Sequence, residues 1–463
     1  MTMRLRDYSA TILVAALSGA FGSVLLQGTI LLADLVAGNA IGEKESVEIA
    51  LGLVSLVFFA IATFVGAIVT ANTVGTVIAG RIREIALVRL VGADANHLRS
   101  RTARDGIVVG LVGASIGTAV GIALVAAFIA AGTATGQLPD EPHDVVTLAL
   151  LAPVLVVTAV TWASSWVGSA RILSVTPLQA TAAAVEPDPD TVRARRGRRV
   201  AAATLIGAGT LLLGVGVWLG LISMVGVLVG MLGGILSFSG VVLAAPFLMP
   251  RILRLVGRAL GSSPTARLAG RNAVRHPARS SRATIGLVIG VTLVTMFAVA
   301  TASYEDMILR ASEQYPEDFA GVDTTLAVTI GVFSVLFGFS AVIAAVGMVN
   351  SLSLSVLQRG RELGLLRALG FTAVQVRGMV LAEAVQMSVA SVAFGLVLGI
   401  VYGWCGAQAL LGSILGGGLV PPSVPWFVIA GAAVVAPLLA IAASIGPSHR
   451  ATRTSPMAAL AVD

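Results

Sequence analysis

Ten apolar runs, each about 20 residues or longer, constrain this chain more than any other feature. They lie at roughly 10–33, 49–80, 102–131, 145–169, 200–220, 222–248, 282–303, 324–357, 372–406 and 424–446. About 20 residues of helix cross a ~30 Å hydrocarbon core. Inside lipid only helices and closed barrels satisfy their own backbone groups. Barrel strands would be about 10 residues long and alternate in polarity, and these runs do neither. The expected fold class is an all-α polytopic membrane protein with about ten transmembrane helices. A chain that is 57% hydrophobic and 11% charged is no ordinary soluble domain. Its fifty-two glycines suit helices that approach closely within a bilayer.

Charge sets the orientation. With the N-terminus inside, every arginine but Arg310 falls in a cytoplasmic segment, and the single lysine, Lys44, falls outside. Thirteen acidic residues sort to the outer segments and nine to the inner ones. This is the positive-inside pattern. It predicts a multi-pass protein of a bacterial plasma membrane with both termini cytoplasmic. The first run is expected to stay as a signal anchor. The net charge of +7 reads as arginines meeting anionic headgroups at span borders, and no nucleic-acid partner is expected. Cys405 is the only cysteine, so an internal disulfide is excluded, and the four histidines lack metal-ligand spacing. No catalytic residue and no metal site is expected.

One segment occurs twice, 278 residues apart. Arg81–Gly92 reads RIREIALVRLVG and Arg359–Gly370 reads RGRELGLLRALG. Arg81, Arg83, Glu84, Leu87, Arg89, Gly92, Ala95 and Arg99 recur as Arg359, Arg361, Glu362, Leu365, Arg367, Gly370, Ala373 and Arg377. At the same offset Asp105 falls on Glu383, Gly117 on Gly395 and Gly121 on Gly399. Arginine and glutamate three apart share a helix face, and the glycines suit a helix stop. A charged stop for a span explains the arginines alone. Recurrence of Glu, Leu and Gly at fixed places calls for a shared partner surface or shared ancestry. A short polar helix is expected after each motif, over 93–101 and 371–378. The runs at 49–80 and 324–357 exceed one bilayer, so the helices are expected to continue through the motif into the cytoplasm; steep tilt is the alternative.

The chain therefore divides into a first repeat (1–182), a linker (183–199) that is acidic and prolyl, then arginine-rich, a two-span hairpin (200–262) and a second repeat (263–463). Two intervening spans give the four-helix repeats the same orientation. RGRELGLLRALG with the following FTAVQVRGMVLAEAVQ resembles the FtsX-like or MacB-like permease domain of ABC transporters. LAGRNAVRHPARSSRATIG (Leu268–Gly286) resembles the family's amphipathic segment before the first span. Pro177-Leu178-Gln179-Ala180 and Pro456-Met457-Ala458-Ala459 resemble its C-terminal signature. The ten-span plan resembles the Bce-type resistance permeases.

The resemblance implies a permease subunit driven by separate ABC ATPases, two copies per chain, with ATP and magnesium bound by the partner. It assigns ATPase coupling to Arg83, Glu84, Arg89 and Gly92, and to Arg361, Glu362, Arg367 and Gly370. The residues themselves support a separate ATPase. A phosphate-binding loop needs Gly-Lys followed by Ser or Thr, and Lys44 follows Glu43. Large outer domains, which MacB-like and Bce-like members carry, have no room in the outer segments 34–48, 132–144, 304–323 and 407–423. Substrate would then meet the spans directly, as a lipid, lipopeptide or hydrophobic peptide. Its binding residues are not identified by sequence. Tyr304–Asp323 holds six acids and one arginine, which fits the acidic exterior of such a protein and also attraction of a cationic amphiphile. Glu383 is an intramembrane acid or an interfacial one paired with Arg377. Two other classes stay open: an FtsX-type regulatory membrane protein and an ion-driven secondary transporter.

Overall fold

The computed structural model describes residues 8–37, 45–134, 147–175, 190–259, 277–314, 338, 341–342, 345, 369–413 and 418–453. Its elements are α1 (Ser9–Ala37), α2 (Glu45–Gly80), α3 (Ile82–Leu90), α4 (Ala95–Ala134), α5 (Leu151–Gly168), α6 (Asp190–Gly220), α7 (Gly226–Ala259), α8 (Pro277–Gln314), α9 (Ala373–Leu411) and α10 (Trp426–Arg453). Short 3₁₀ turns flank α5. No strand occurs among the described residues. Eight described helices are long and apolar enough to cross a membrane, and α10 adds a shorter apolar stretch over Trp426–Val435. They coincide with nine of the ten runs. The remaining run, 324–357, lies almost wholly outside the described residues. The protein is an all-α, multi-pass membrane protein.

The chain forms two compact units, Met1–Pro187 with Met307–Ile343 and Asp188–Asp306 with Ala344–Asp463. In the first unit small residues let backbones touch. Gly113, Gly117 and Gly121 of α4 lie against Ala15, Ala16, Ala20 and Ser23 of α1, and Gly106 and Gly110 lie against Thr158, Thr161 and Ser165 of α5. Lipid tails are as apolar as leucine, so close packing of this kind, not apolar burial, holds helices together in a bilayer.

The second unit repeats the device. Gly395 and Gly399 of α9 lie against Val291, Thr292 and Thr295 of α8. The hairpin α6–α7 belongs to this unit and packs on α9. The Gln386 amide donates to the Leu253 carbonyl at 2.7 Å, and the Ser237 and Tyr402 hydroxyls share a hydrogen bond of 2.9 Å. Phe238 meets the Tyr402 ring edge-on at 6.1 Å. Pro246 and Pro250 sit inside α7 and remove two backbone donors. Side chains from other helices donate to carbonyls along this stretch: Arg198 to Leu243 at 3.0 Å and Ser281 to Ala245 at 3.0 Å. α6 begins at Asp190, so the last ten residues of the expected linker are helical, with Arg196, Arg198 and Arg199 exposed.

Two local expectations are corrected. The second helix ends at Gly80 and Arg81 interrupts it with φ −117° and ψ 19°, so the motif forms a separate helix, α3. Glycine weakens a helix interior by about 1 kcal/mol relative to alanine, and the break falls beside Gly80. The short polar helices after each motif do not exist as separate elements. Residues 95–101 and 373–378 are the first turns of α4 and α9, which continue unbroken for 40 and 39 residues. Neither helix contains a proline, and the glycines of α4 at 106, 110, 113, 117 and 121 are held against neighbours instead of opening the helix.

Candidate functional site: a turn built twice

The arginine motif of the first repeat is a nine-residue helix ending in a sharp turn. Ile85 and Ala86 of α3 are buried with Val74, Ile78, Ala95, Ile172 and Val175. That inner face pins α3 to the ends of α2 and α4. Glu84 occupies the first turn and Arg89 the last, each the charge that its end of the helix dipole favours. The Arg89 guanidinium also donates to the Val175 carbonyl. Glu84, Leu87, Leu90 and Val91 face outward, and Val91 is 90% exposed.

Gly92 ends the helix at φ +103°. Its N–H donates to the Arg89 carbonyl at 3.0 Å, and the Ala93 N–H reaches back to Val88 at 3.2 Å. This Schellman pattern satisfies the last carbonyls of α3 and needs a left-handed residue where glycine stands. Asp94 then starts α4, its carboxylate accepting the N–H groups of Asn96 at 3.1 Å and His97 at 3.2 Å. One turn further, the Arg99 guanidinium lies 4.0 Å over the Trp166 ring and donates to the Trp166 carbonyl.

The second repeat has the same joint at the same offset. Gly370 has φ +96°. Thr372, which matches Asp94, caps α9 through a capping box in which Gln375 N–H donates to the Thr372 hydroxyl and Thr372 N–H donates to Gln375 Oε1 at 2.9 Å. Leu369, which matches Val91, is 70% exposed. Arg361, Glu362 and Arg367 lie outside the described residues. Arg83 lies in α3 and Arg81 is its N-cap, the Arg81 carbonyl accepting from the Ile85 N–H at 3.0 Å, so Arg81 and Glu84 stand at the start of one helix. The structure thus places Arg89 and Gly92 at one turn, with Glu84 at the other end of α3, and places Gly370 at the counterpart turn.

Glu383, one turn and a half beyond Arg377, is fully buried at 0% exposure. Its counterpart Asp105 is half-buried and accepts a hydrogen bond from the Tyr8 hydroxyl at 3.2 Å. The caps Asp94 and Thr372 and the exposed tips Val91 and Leu369 escaped the sequence reading. Thr372-x-x-Gln375 is a legible capping-box signature, and both caps stand two residues after a glycine. Alanine at Asp94 or Thr372 is expected to cost about 1 kcal/mol each. Thermal unfolding in detergent should register both losses, and unchanged melting would remove the caps' assigned role.

A family model for the FtsX-like permease C-terminal domain matches this chain twice, at residues 56–177 and 334–456. Together the two matches cover more than half of the chain, and each contains one copy of the turn. The chain belongs to the FtsX-like permease family. The two matches begin 278 residues apart, so the two turns are equivalent features of two family domains. The chain is also 29% identical over 141 residues to the uncharacterized ABC transporter permease YknZ of Bacillus subtilis (strain 168). That similarity spans 30% of this chain and 34% of the relative. Membership in this permease family agrees with the membrane-spanning helices of the fold.

Proposed function

We propose that this chain is the permease subunit of an ABC transporter, driven by two separate ATPase subunits and moving or extruding a hydrophobic or amphiphilic substrate. The observation that carries this reading is the turn built twice. Each copy presents an exposed apolar tip, Val91 or Leu369, ahead of a left-handed glycine and a capped helix that runs on into the membrane. A rigid joint suits the transfer of force. Closure of the ATPase pair would press on the two turns, and α4 and α9, which start there, would carry the motion into the two repeats. In the first copy Arg89 borders the apolar tip and Glu84 stands exposed at the other end of α3, and the sequence repeats the pair as Arg367 and Glu362. The arginine ends face the cytoplasm in this reading. The two repeats span 1–182 and 263–463, with the linker at 183–199 and the hairpin at 200–262 between them.

The substrate class follows from the short outer segments. Without an outer domain, substrate must meet the spans, where about 25 cal/mol per Å² of buried apolar contact favours amphiphiles over polar solutes. The complex purified with its ATPase should show ATP turnover stimulated by lipids or lipopeptides. Sugars and amino acids should leave turnover unchanged. Saturable stimulation by a polar solute, with no response to any amphiphile, would overturn the substrate assignment.

A further inference from the structure

The two repeats carry the same helix with different chemistry on one face. In the second unit that face of α9 is covered by protein. Gln386 and Ala390 are buried, Gln386 bonded to Leu253 of α7 and Ala390 packed in a cluster with Leu253. Tyr402 meets Ser237 and Phe238, and Ala409 lies against Gly220 at the end of α6. At these four positions the covered face carries small or hydrogen-bonding residues, which suit a helix–helix contact.

At the 278-residue offset the matching positions on α4 are Val108, Val112, Leu124 and Ala131. All four are exposed, Val108 at 59% against 2% for its counterpart Gln386. Ile116, Val120 and Phe128 extend the same exposed surface. Bulky aliphatic groups without a polar partner suit acyl chains. Charge completes the contrast. Arg101 and Arg104 are exposed at the start of this face, whereas the matching residues in the covered repeat are Met379 and Ala382. Arg101, Arg104, Val108, Val112 and Leu111 recur at helical spacing, which puts the guanidinium groups one to two turns below the apolar stripe.

We infer that the exposed face of α4 is a binding site for an anionic phospholipid. Arg101 and Arg104 hold the headgroup phosphate, and an acyl chain lies along Val108, Val112 and Ile116 towards Leu124. Guanidinium groups pair well with phosphate oxygens, and the site faces the leaflet on the arginine side, which the proposed orientation makes the cytoplasmic one. The lipid fills in the first repeat the place that the hairpin fills in the second.

The test is native mass spectrometry of the full chain without its ATPase, in neutral detergent with added dioleoyl-phosphatidylglycerol. Binding is read without the ATPase, so its failure is distinct from failure of the docking reading. The variant is Arg101→Met with Arg104→Ala, the residues of the covered repeat. Both positions are exposed, and unchanged melting checks that the variant folds; Arg104→Gln alone is the second, milder variant. The protein is expected to retain phosphatidylglycerol in preference to phosphatidylcholine. The double variant is expected to bind it about tenfold or more weakly, and the single variant to fall between. Inorganic phosphate and glycerophosphoglycerol, which lack acyl chains, should not compete. Equal retention of phosphatidylglycerol by the double variant, equal retention of phosphatidylcholine by the unaltered chain, or full competition by free phosphate would each overturn the site.

Discussion

Leucine at Gly117 is expected to leave little of the first unit intact. A Cβ at this position would overlap the carbonyl of Ala16 and approach the Ala20 nitrogen to 2.8 Å. Both are backbone atoms of α1, so no side chain can swing away. The helices must part along their whole seam, and the neighbouring contacts of Gly113 with Ala15 and Gly121 with Ser23 loosen with them. Overpacking of this kind costs about 3 kcal/mol, a large share of a typical folding free energy. Gly399→Leu should do the same in the second unit, where a Cβ would meet the Thr292 carbonyl at 2.9 Å. Gly214→Ala is the contrast, because nothing lies within 4 Å of a Cβ there. It should be neutral or stabilise by up to about 1 kcal/mol. Melting in detergent with size-exclusion chromatography separates the three. A Gly117→Leu chain that melts with the unaltered protein would refute the close-packed seam.

Much of this architecture is written locally. Runs of uninterrupted apolar residues announce spans, and nine of ten runs coincide with helices. Gly92 and Gly370 are legible as stops because the left-handed conformation they adopt is one that other residues avoid. The failures share a cause. Whether α4 breaks after Arg101 depends on what Gly106 and Gly110 touch, and those contacts come from α5, some fifty residues on. Arg81 and Glu84 have helical spacing, but the break at Gly80 makes Arg81 the non-helical N-cap of the helix that carries Glu84. The burial of Glu383 and the hydrogen bond of Gln386 depend on packing within the second unit, which no pattern along α9 declares. Repeated sequence therefore reveals the joint, while the difference between the two repeats emerges only from packing.

The second large effect concerns that joint. Aspartate at both Val91 and Leu369 is expected to uncouple the chain from its ATPase while the fold survives. Val91 is 90% exposed and Leu369 70%, and substitutions at such exposed positions usually change stability by no more than about 0.5 kcal/mol. Buried in an interface, each becomes an apolar anchor, and a carboxylate there would weaken docking by about 2 kcal/mol or more, roughly thirtyfold. Glu84 is an exposed charge at the other end of α3, so Glu84→Lys should weaken the same contact by a smaller factor. The most direct test of two-fold docking is the mass of the purified complex. The account predicts two ATPase subunits per chain for the unaltered protein, one for Val91→Asp or Leu369→Asp alone, and none for the double variant. A double variant that keeps both ATPase subunits would contradict it.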